Sequence, residues 1–274
     1  MQARTDLALE AKRLWDRNTG EKTALNGVKA FRTDDFGAAV DVVRILDREG
    51  EEALGKPAGT YLTMELEKGF YTDRGAFEQL TKTLAAVLRS LLPNAQRPMV
   101  VGLGNREITP DSIGPRVLDH LLITRHLSYA GLGDLCAVEP GVLAATGIES
   151  LQLVRGAVSA AEPDCVIVAD ALASGEPQRL CGSVQITDTG IVPGSGVHNS
   201  RQEFSCRTLG VPVVAVGVPT VCDHGGTEDG SSRLILSVAD IDLRAVHIAK
   251  LIGYGVDLFI HSRLSTGDLP WLLA

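Results

Sequence analysis

Two aspartates are the residues in this sequence best placed to do chemistry. Asp111 follows the short apolar run 99–103, and Asp170 follows the apolar run 165–169. Each run has the length of a buried strand, so each aspartate is expected just beyond the carboxyl end of a strand. Open α/β sheets place catalytic groups at that edge, because the loops there converge on a crevice. If the two strands are neighbours, one ionised and one protonated carboxyl can activate water and protonate a leaving amide nitrogen.

Each aspartate also has an ordinary structural interpretation. Asp111 precedes Gly114 and Pro115, where a helical pattern begins, and aspartate is a common helix N-cap. Asp170 is equally compatible with a turn. The chemical hypothesis therefore depends on the two residues sharing one sheet edge, where their mutual repulsion would raise one pKa of the coupled pair.

Two glycine-containing motifs of known chemistry are incomplete. Gly102 and Gly104 begin a dinucleotide-binding fingerprint, but Glu107 stands where its third glycine is required. Ser195 lies between glycines whose spacing differs from that of the nucleophile elbow of hydrolases. The sequence therefore predicts neither a bound dinucleotide nor a serine nucleophile.

The sequence also gives little support for metal or thiol chemistry. Asp223 and His224 are adjacent in a glycine-rich stretch, which is more typical of a solvated loop than of a chelating site. Cys222 has no recognisable partner for nucleophilic catalysis, and the five cysteines include no C-x-x-C pair. We expect reduced thiols, no metal and no cofactor.

Composition narrows the function classes further. The 26 Lys and Arg residues against 34 Asp and Glu residues give a formal charge of −8, which argues against direct nucleic-acid binding. No apolar run has the length of a signal peptide core or of a membrane span. We therefore expect a cytoplasmic protein that does not bind membranes.

Strand and helix patterns alternate along the chain. An apolar stripe predicts a helix over 73–92, a shorter pattern predicts one over 36–46, and a helical pattern with a break covers 231–263. This alternation without a linker predicts an α/β fold, with a single three-layer αβα domain over 1–274 and a mostly parallel sheet. Residues 1–20 are expected to form an N-terminal arm or helix.

Short motifs spread along the chain resemble those of the germination protease of spore-forming bacteria. In order they are 4–8, 101–105, 109–111, 114–115, 124–126, 170–173, 187–191, 193–197 and 217–220. The resemblance implies an atypical aspartic endopeptidase that degrades small acid-soluble spore proteins during germination, using Asp111 and Asp170. It also implies the phosphorylase/hydrolase-like fold of the hydrogenase-maturation peptidases.

Further expectations come with this resemblance. We expect substrate-positioning roles for residues in or beside the motifs, namely Asn105, Arg125, His126, Ser195 and His198. The family resembled is tetrameric, is made as a zymogen with a short N-terminal propeptide and needs no metal for catalysis. A homotetramer is thus implied, in the spore core or forespore. Because only residues 1–3 precede the first motif, we expect a processed form or a chain without a propeptide.

Two alternatives to this function stay open. One is a maturation-type peptidase on the same fold, in which Asp111 and Asp170, with His198 or His224, grip a metal carried by the substrate protein. Stoichiometric nickel binding would favour it. The other is a non-catalytic relative that binds peptides in the same crevice, which failure to cleave any spore protein would favour.

Overall fold

A mixed β-sheet forms the centre of the protein. The computed structural model describes residues 5–19, 25–127, 132–195, 201–226 and 233–273. The described strands are β1 (Val28–Thr33), β2 (Val40–Ile45), β3 (Gly59–Glu65), β4 (Pro98–Gly102), β5 (Cys136–Val138), β6 (Cys165–Ser174), β7 (Ser183–Thr187), β8 (Val213–Gly226) and β9 (Arg233–Leu236). Their order across the sheet is β1-β2-β3-β7-β8-β6-β4-β5, and β9 pairs with β8.

Helices cover both faces of this sheet. The described α-helices are α1 (Ala8–Thr19), α2 (Arg48–Leu54), α3 (Arg74–Leu91), α4 (Ile113–Leu118), α5 (Leu143–Thr146), α6 (Ser150–Ala161), α7 (Cys206–Leu209), α8 (Ile241–Ile260) and α9 (Leu269–Leu272). Helices α3, α4 and α8 share one hydrophobic cluster with the sheet, and α6 packs in a second cluster. The predicted α/β class is confirmed, with helices layered on both sides of the strands.

Strands β8, β6, β4 and β5 run parallel and form one half of the sheet, with β5 at its edge. Val100 and Ile167 pack into the cluster on one face, while their neighbours Val101 and Val168 pack into the cluster on the other. Continuous apolar runs are typical of parallel strands that are buried on both faces. The carboxyl ends of these strands therefore lie along one edge of the sheet.

The remaining strands are antiparallel, and their pairing overturns one prediction made from the sequence. The helix predicted over 36–46 is wrong, because β2 occupies Val40–Ile45 and pairs antiparallel with both β1 and β3. Val40 and Val42 pack into one hydrophobic cluster while Val43 and Ile45 pack into another, which is the alternation of a strand buried on both faces. Branched side chains favour the pleated conformation, and tertiary pairing outweighs the ambiguous periodicity.

The long helix near the carboxyl end is shorter than its sequence pattern indicates. The predicted helical stretch 231–263 begins instead with β9, and α8 starts at Ile241. Gly255 of α8 lies so close to α3 that a β-carbon there would be 2.6 Å from Leu84 Cδ2. In the described part of the chain, none of the helices has the length and apolarity needed to cross a membrane.

Helix α1 lies within the segment predicted as an arm or helix. Ala8 belongs to a small cluster that also contains Val43 of β2 and Tyr61 of β3. Leu7 and Ala8 are completely buried. The N-terminal segment is therefore packed against the antiparallel part of the sheet.

Candidate active site

The two aspartates singled out from the sequence line one cleft at the carboxyl edge of the parallel strands. The last residue pair between β4 and β6 is Gly102 with Ala169, so Asp170 is the first residue of β6 beyond the end of β4. Asp111 ends the 3-10 turn Thr109–Asp111 in the loop that follows β4. Both side chains border a cavity of about 600 Å³.

The loop after β4 holds Asp111 through its own main chain. The Asn105 N–H donates to Asp111 Oδ2 at 2.8 Å and also contacts the Asp111 carbonyl oxygen at 3.1 Å. Gly104 makes this turn with φ at +116°, and a β-carbon there would lie 1.9 Å from the Asp111 carbonyl oxygen. Only glycine fits such a position without moving the loop. Asn105 therefore acts on Asp111 through its backbone.

Asp111 is not the N-cap of helix α4. Ser112 is the N-cap residue of α4, and the Asp111 carboxylate accepts its hydrogen bond from Asn105 in the preceding loop. Gly114 lets α4 begin against the sheet, because a β-carbon there would lie 2.2 Å from the Leu103 carbonyl oxygen. The Asp111 carboxylate is therefore turned toward the loop and the cleft.

Asp170 is the more deeply buried of the two acids. Its side chain is 4% exposed, and Oδ1 accepts a hydrogen bond of 2.8 Å from the N–H of Ala171. Burial raises the pKa of Asp170 well above its ordinary value, and the negative charges of Asp111 and Asp6 raise it further. The hydrogen bond from Ala171 offsets part of this rise. Of the two acids, Asp170 is therefore the one whose surroundings favour the protonated form more strongly.

Asp111 occupies a different environment. Burial raises its pKa, but the N–H of Asn105 stabilises the ionised form and lowers the pKa in turn. Because like charges repel, the negative charge of Asp111 favours the protonated form of Asp170, and we expect the two acids to titrate as a coupled pair. A pair of this kind can supply a general base and a general acid in one cleft.

A third carboxylate reaches the same cleft from the N-terminal segment. Asp6 Oδ2 accepts from the N–H of Ala173 at 2.8 Å, and Asp6 Oδ1 accepts from Ser195 Oγ at 2.8 Å. Asp6 belongs to the first motif of the resemblance, which by itself assigns it no role. That motif is the one signal in the sequence that points to Asp6, because its partners lie far away along the chain.

Ser195 lies beside the cleft, as its partner Asp6 does. It also borders a second cavity of about 260 Å³, which Asp6 and Lys56 line as well. Burial lowers the pKa of Lys56, while the negative charges of Asp6 and Glu10 offset part of this change. Lys56 Nζ donates to the carbonyl oxygen of Thr5 at 2.9 Å. The Asp6–Ser195 hydrogen bond thus lies between the two cavities.

Arg125 and His126 lie elsewhere. Arg125 Nε contacts Asp134 Oδ1 at 2.7 Å, and its Nη1 donates to the carbonyl oxygen of Ala161 at 2.7 Å. Ala161 precedes the start of β6, so Arg125 lies near the amino ends of the parallel strands, opposite the edge that carries Asp170. His126 is exposed on the same segment.

The sequence also indicates two further histidines as candidate site residues, His198 and His224. His198 lies outside the described residues, and nothing is described of the side chain of His224. Within the ranges that the structure covers, no three His, Cys, Asp or Glu side chains come together in a way that could hold a metal ion.

The walls of the larger cavity are mainly apolar. Ile108, Leu143 and Ile235 line it from the loop after β4, from α5 and from β9 respectively. Ile108 is 52% exposed and Ile235 is 54% exposed. Arg201 and Glu149, whose charged atoms are 4.0 Å apart, also border it. The cleft thus combines acidic groups at its base with exposed hydrophobic side chains at its walls.

Fold and site together define a class of protein: an α/β protein with acidic groups in an open cleft at the carboxyl edge of its parallel strands. The family model described as Germination protease matches residues 5–264. The chain belongs to the germination protease family. It is therefore a protease, and so a hydrolase, with a role in spore germination.

Individual relatives are similar over most of their length. The germination protease of Caldanaerobacter subterraneus is 44% identical over 80% of this chain and 69% of its own length. That of Clostridium tetani is 38% identical over 91% of this chain and 81% of its own length. That of Priestia megaterium is 40% identical over 97% of this chain and 76% of its own length.

A solved structure also has some similarity to this fold. It is the [NiFe] hydrogenase maturation protease HycI from Thermococcus kodakarensis KOD1, which is 21% identical in sequence. The similarity covers 62% of this chain and 98% of that one, with a TM-score of 0.40.

Proposed function

We propose that this chain is an atypical aspartic endopeptidase that starts the degradation of small acid-soluble spore proteins during germination. Asp111 and Asp170 are its catalytic residues. One observation carries the proposal: the two carboxyl groups border the same cleft, and the pKa of Asp170 is raised by burial and by the charge of Asp111, whereas the N–H of Asn105 stabilises the ionised form of Asp111. The substrate class follows from the family resemblance.

The proposed reaction uses each acid once. Asp111 accepts a proton from a water molecule as the water oxygen bonds to the carbonyl carbon of the scissile peptide bond. Asp170 then donates its proton to the amide nitrogen as the carbon–nitrogen bond breaks. Transfer of a proton from Asp111 to Asp170, directly or through water, restores the starting state.

The shape of the cleft suits an extended peptide. A cavity of about 600 Å³ is large enough for several residues, and its apolar walls favour hydrophobic side chains on either side of the scissile bond. Main-chain groups of the substrate would lie above the acids at the base. A folded substrate would not enter, so the proposal predicts cleavage of unfolded or flexible chains.

The experiment is incubation of a purified small acid-soluble spore protein with the wild type and with Asp111→Asn and Asp170→Asn variants, followed by mass spectrometry. We expect defined fragments from the wild type and a loss of cleavage rate of at least about 100-fold in either variant. The double variant should be no slower than the slower single variant, because groups that act as a unit are not additive.

A matched control is the same substitution at a buried aspartate outside the cleft. Asp257→Asn changes such a carboxyl group on α8 and should leave the cleavage rate unchanged. Equal cleavage by the wild type and both cleft variants would contradict the proposed roles. Intact substrate with folded wild type would contradict the proposed activity.

Assembly and location are proposed on the same family resemblance. A homotetramer located in the spore core or forespore is the arrangement that the resemblance implies. Light scattering of the purified full chain should give about four times the chain mass of 29.1 kDa. A monomer at micromolar concentration would contradict the proposed assembly.

A further inference from the structure

The N-terminal segment is joined to the part of β6 that carries Asp170. The N–H of Asp6 donates to the Ala173 carbonyl oxygen at 2.9 Å, and Asp6 Oδ2 accepts from the N–H of the same residue. Ala173 lies three residues after Asp170, in the part of β6 that extends beyond the pairing with β4. Asp6 therefore holds this strand end on the side of the cleft.

Glu10 reinforces the attachment one helical turn further on. It is fully buried, and its carboxylate accepts hydrogen bonds from Ser174 Oγ and from the N–H of Gly175. Arg179 Nε lies 3.5 Å from Glu10 Oε1. Because a buried carboxylate is stable only when its oxygens have partners, α1 is fixed in position relative to the end of β6.

The other oxygen of Asp6 binds the loop on the far side of the cleft. Ser195 Oγ donates to Asp6 Oδ1 at 2.8 Å, and the main chain around Asp6 is held by the Gln185 side chain of β7. One carboxylate thus connects the N-terminal segment, the end of β6 and the Ser195 loop. Asp6 also lines both cavities.

We propose that Asp6 is a positioning residue of this site, a third carboxylate that fixes the strand end bearing Asp170 and faces it with negative charge. The inference rests on the proposed function of the Asp111–Asp170 pair and deepens it. Asp6 acts through Asp170 rather than on the substrate, so its removal should alter the protonation of Asp170 as well as the rate.

The electrostatic surroundings support this direction. The negative charges of Asp111 and Asp6 both raise the pKa of Asp170. Beside Asp6, the charges of Lys56 and Glu10 have opposite signs. At the rim of the cleft, Arg201 and Glu149 also have opposite charges. Asp6→Asn therefore removes one of the two negative charges that raise the pKa of Asp170 and leaves the other, that of Asp111, in place.

The first test is Asp6→Asn, which has nearly the same shape. Its amide oxygen can still accept from the N–H of Ala173, and its NH₂ group can donate to Ser195 Oγ. Carboxyl carbon NMR of protein labelled with ¹³C at aspartate, with Asp170→Asn used for assignment, gives the pKa of Asp170 without any substrate. We expect this pKa to be lower in Asp6→Asn than in the wild type, because one of the negative charges that raise it is removed.

The second readout is the pH profile of cleavage. A general acid must be protonated, so activity is lost as the pH rises through the pKa of Asp170. When the negative charge of Asp6 is removed, this loss should begin at a lower pH, by the same amount as the NMR shift. Ser195→Ala is the matched control, because it removes a contact to Asp6 but no charge.

The outcomes separate this inference from the function on which it rests. If the NMR pKa of Asp170 and the alkaline limb are the same in Asp6→Asn and the wild type, the inference is wrong while the peptidase proposal stands. If the NMR pKa shifts but the wild type does not cleave, the proposed function fails instead. Should Asp6→Asn lose its circular dichroism spectrum, Asp6→Ser, which keeps an acceptor without a charge, repeats the NMR test.

Discussion

Asp170 and Asp257 are both buried acids, and the difference between them shows what turns a buried acid into a site. Asp170 is 4% exposed and Asp257 is 0% exposed. Burial raises the pKa of both, for Asp257 to about 8. Burial and a raised pKa therefore do not distinguish the two residues.

Their neighbours do distinguish them. Asp257 packs inside the protein, where both of its carboxylate oxygens accept from the N–H of Leu122 at 3.0 and 3.1 Å. Burial lowers the pKa of the nearby His261, which favours its neutral form. Asp170 instead borders a cavity and faces Asp111. A shifted pKa indicates a site only when space for a substrate and a second reactive group accompany it.

The largest effect expected from this comparison is on stability. The folded state keeps the proton of Asp257 up to about pH 8, whereas an unfolded chain releases it near the ordinary pKa of 3.8. Between these pH values the folded state binds more protons, so the free energy of unfolding falls as pH rises, by up to about 6 kcal/mol. Asp257→Asn should flatten this dependence, since asparagine does not ionise.

Urea unfolding of the wild type and of Asp257→Asn at pH 5 and pH 8 measures this difference. Asp170→Asn should flatten the curve in the same direction, because its folded pKa is also raised. Only Asp170→Asn should also lose cleavage. Parallel curves for wild type and Asp257→Asn would show that this carboxyl does not stay protonated in the folded protein.

A smaller effect is expected from the turn that positions Asp111. Gly104→Ala places a β-carbon against the Asp111 carbonyl oxygen, at a positive φ that alanine rarely adopts. We expect a cost of about 1–3 kcal/mol in unfolding free energy and a fall in kcat on the order of 100-fold, because the acid moves. Gly55→Ala is the matched control: its φ is +63° and nothing lies within 4 Å of the new carbon.

The control should lose about 1 kcal/mol of stability through backbone strain and keep its kcat. Urea unfolding and steady-state kinetics on the same preparations separate the two effects. If Gly104→Ala resembled Gly55→Ala in kcat, the position of Asp111 would not depend on this turn.

The smallest effect is expected at the opposite edge of the sheet. Arg125→Gln removes the contacts to Asp134 and to the Ala161 carbonyl oxygen and should cost about 1 kcal/mol in unfolding free energy. Its kcat and KM should stay at wild-type values, because Arg125 lies near the amino ends of the strands. Arg48→Gln, which loses an exposed ion pair with Glu52, is the control with almost no expected loss of stability. A raised KM for Arg125→Gln would instead support the substrate-positioning role that the sequence motif predicts for this residue.

The central strands and the Asp pair follow from the sequence because both depend on local patterns. The apolar runs 99–103 and 165–169 correspond closely to β4 and to the first half of β6, and their ends locate Asp111 and Asp170. The pattern over 36–46 failed because β2 is buried on both faces, and an apolar run of this kind cannot be told from a buried helix by its periodicity alone. Pairing with β1 and β3 decides between them, and pairing is not visible in a short window.

The third carboxylate could not be located from local sequence patterns. Asp6 and Ala173 are 167 positions apart, and Asp6 and Ser195 are 189 apart. No periodicity connects such positions, so only the folded chain shows that they meet. Arg125 presents the opposite case, since its motif suggests a place near the substrate and its contacts lie at the other edge.

The contact between Gly102 and Gly114 has a consequence for how this protein can vary. A β-carbon on Gly102 would lie 2.5 Å from the Gly114 carbonyl oxygen, and one on Gly114 would lie 2.4 Å from the Ala169 carbonyl oxygen. The three segments that flank the two acids therefore meet main chain to main chain. Because no side chain separates them, any larger residue at Gly102 or Gly114 would push these segments apart and change the spacing between the acids.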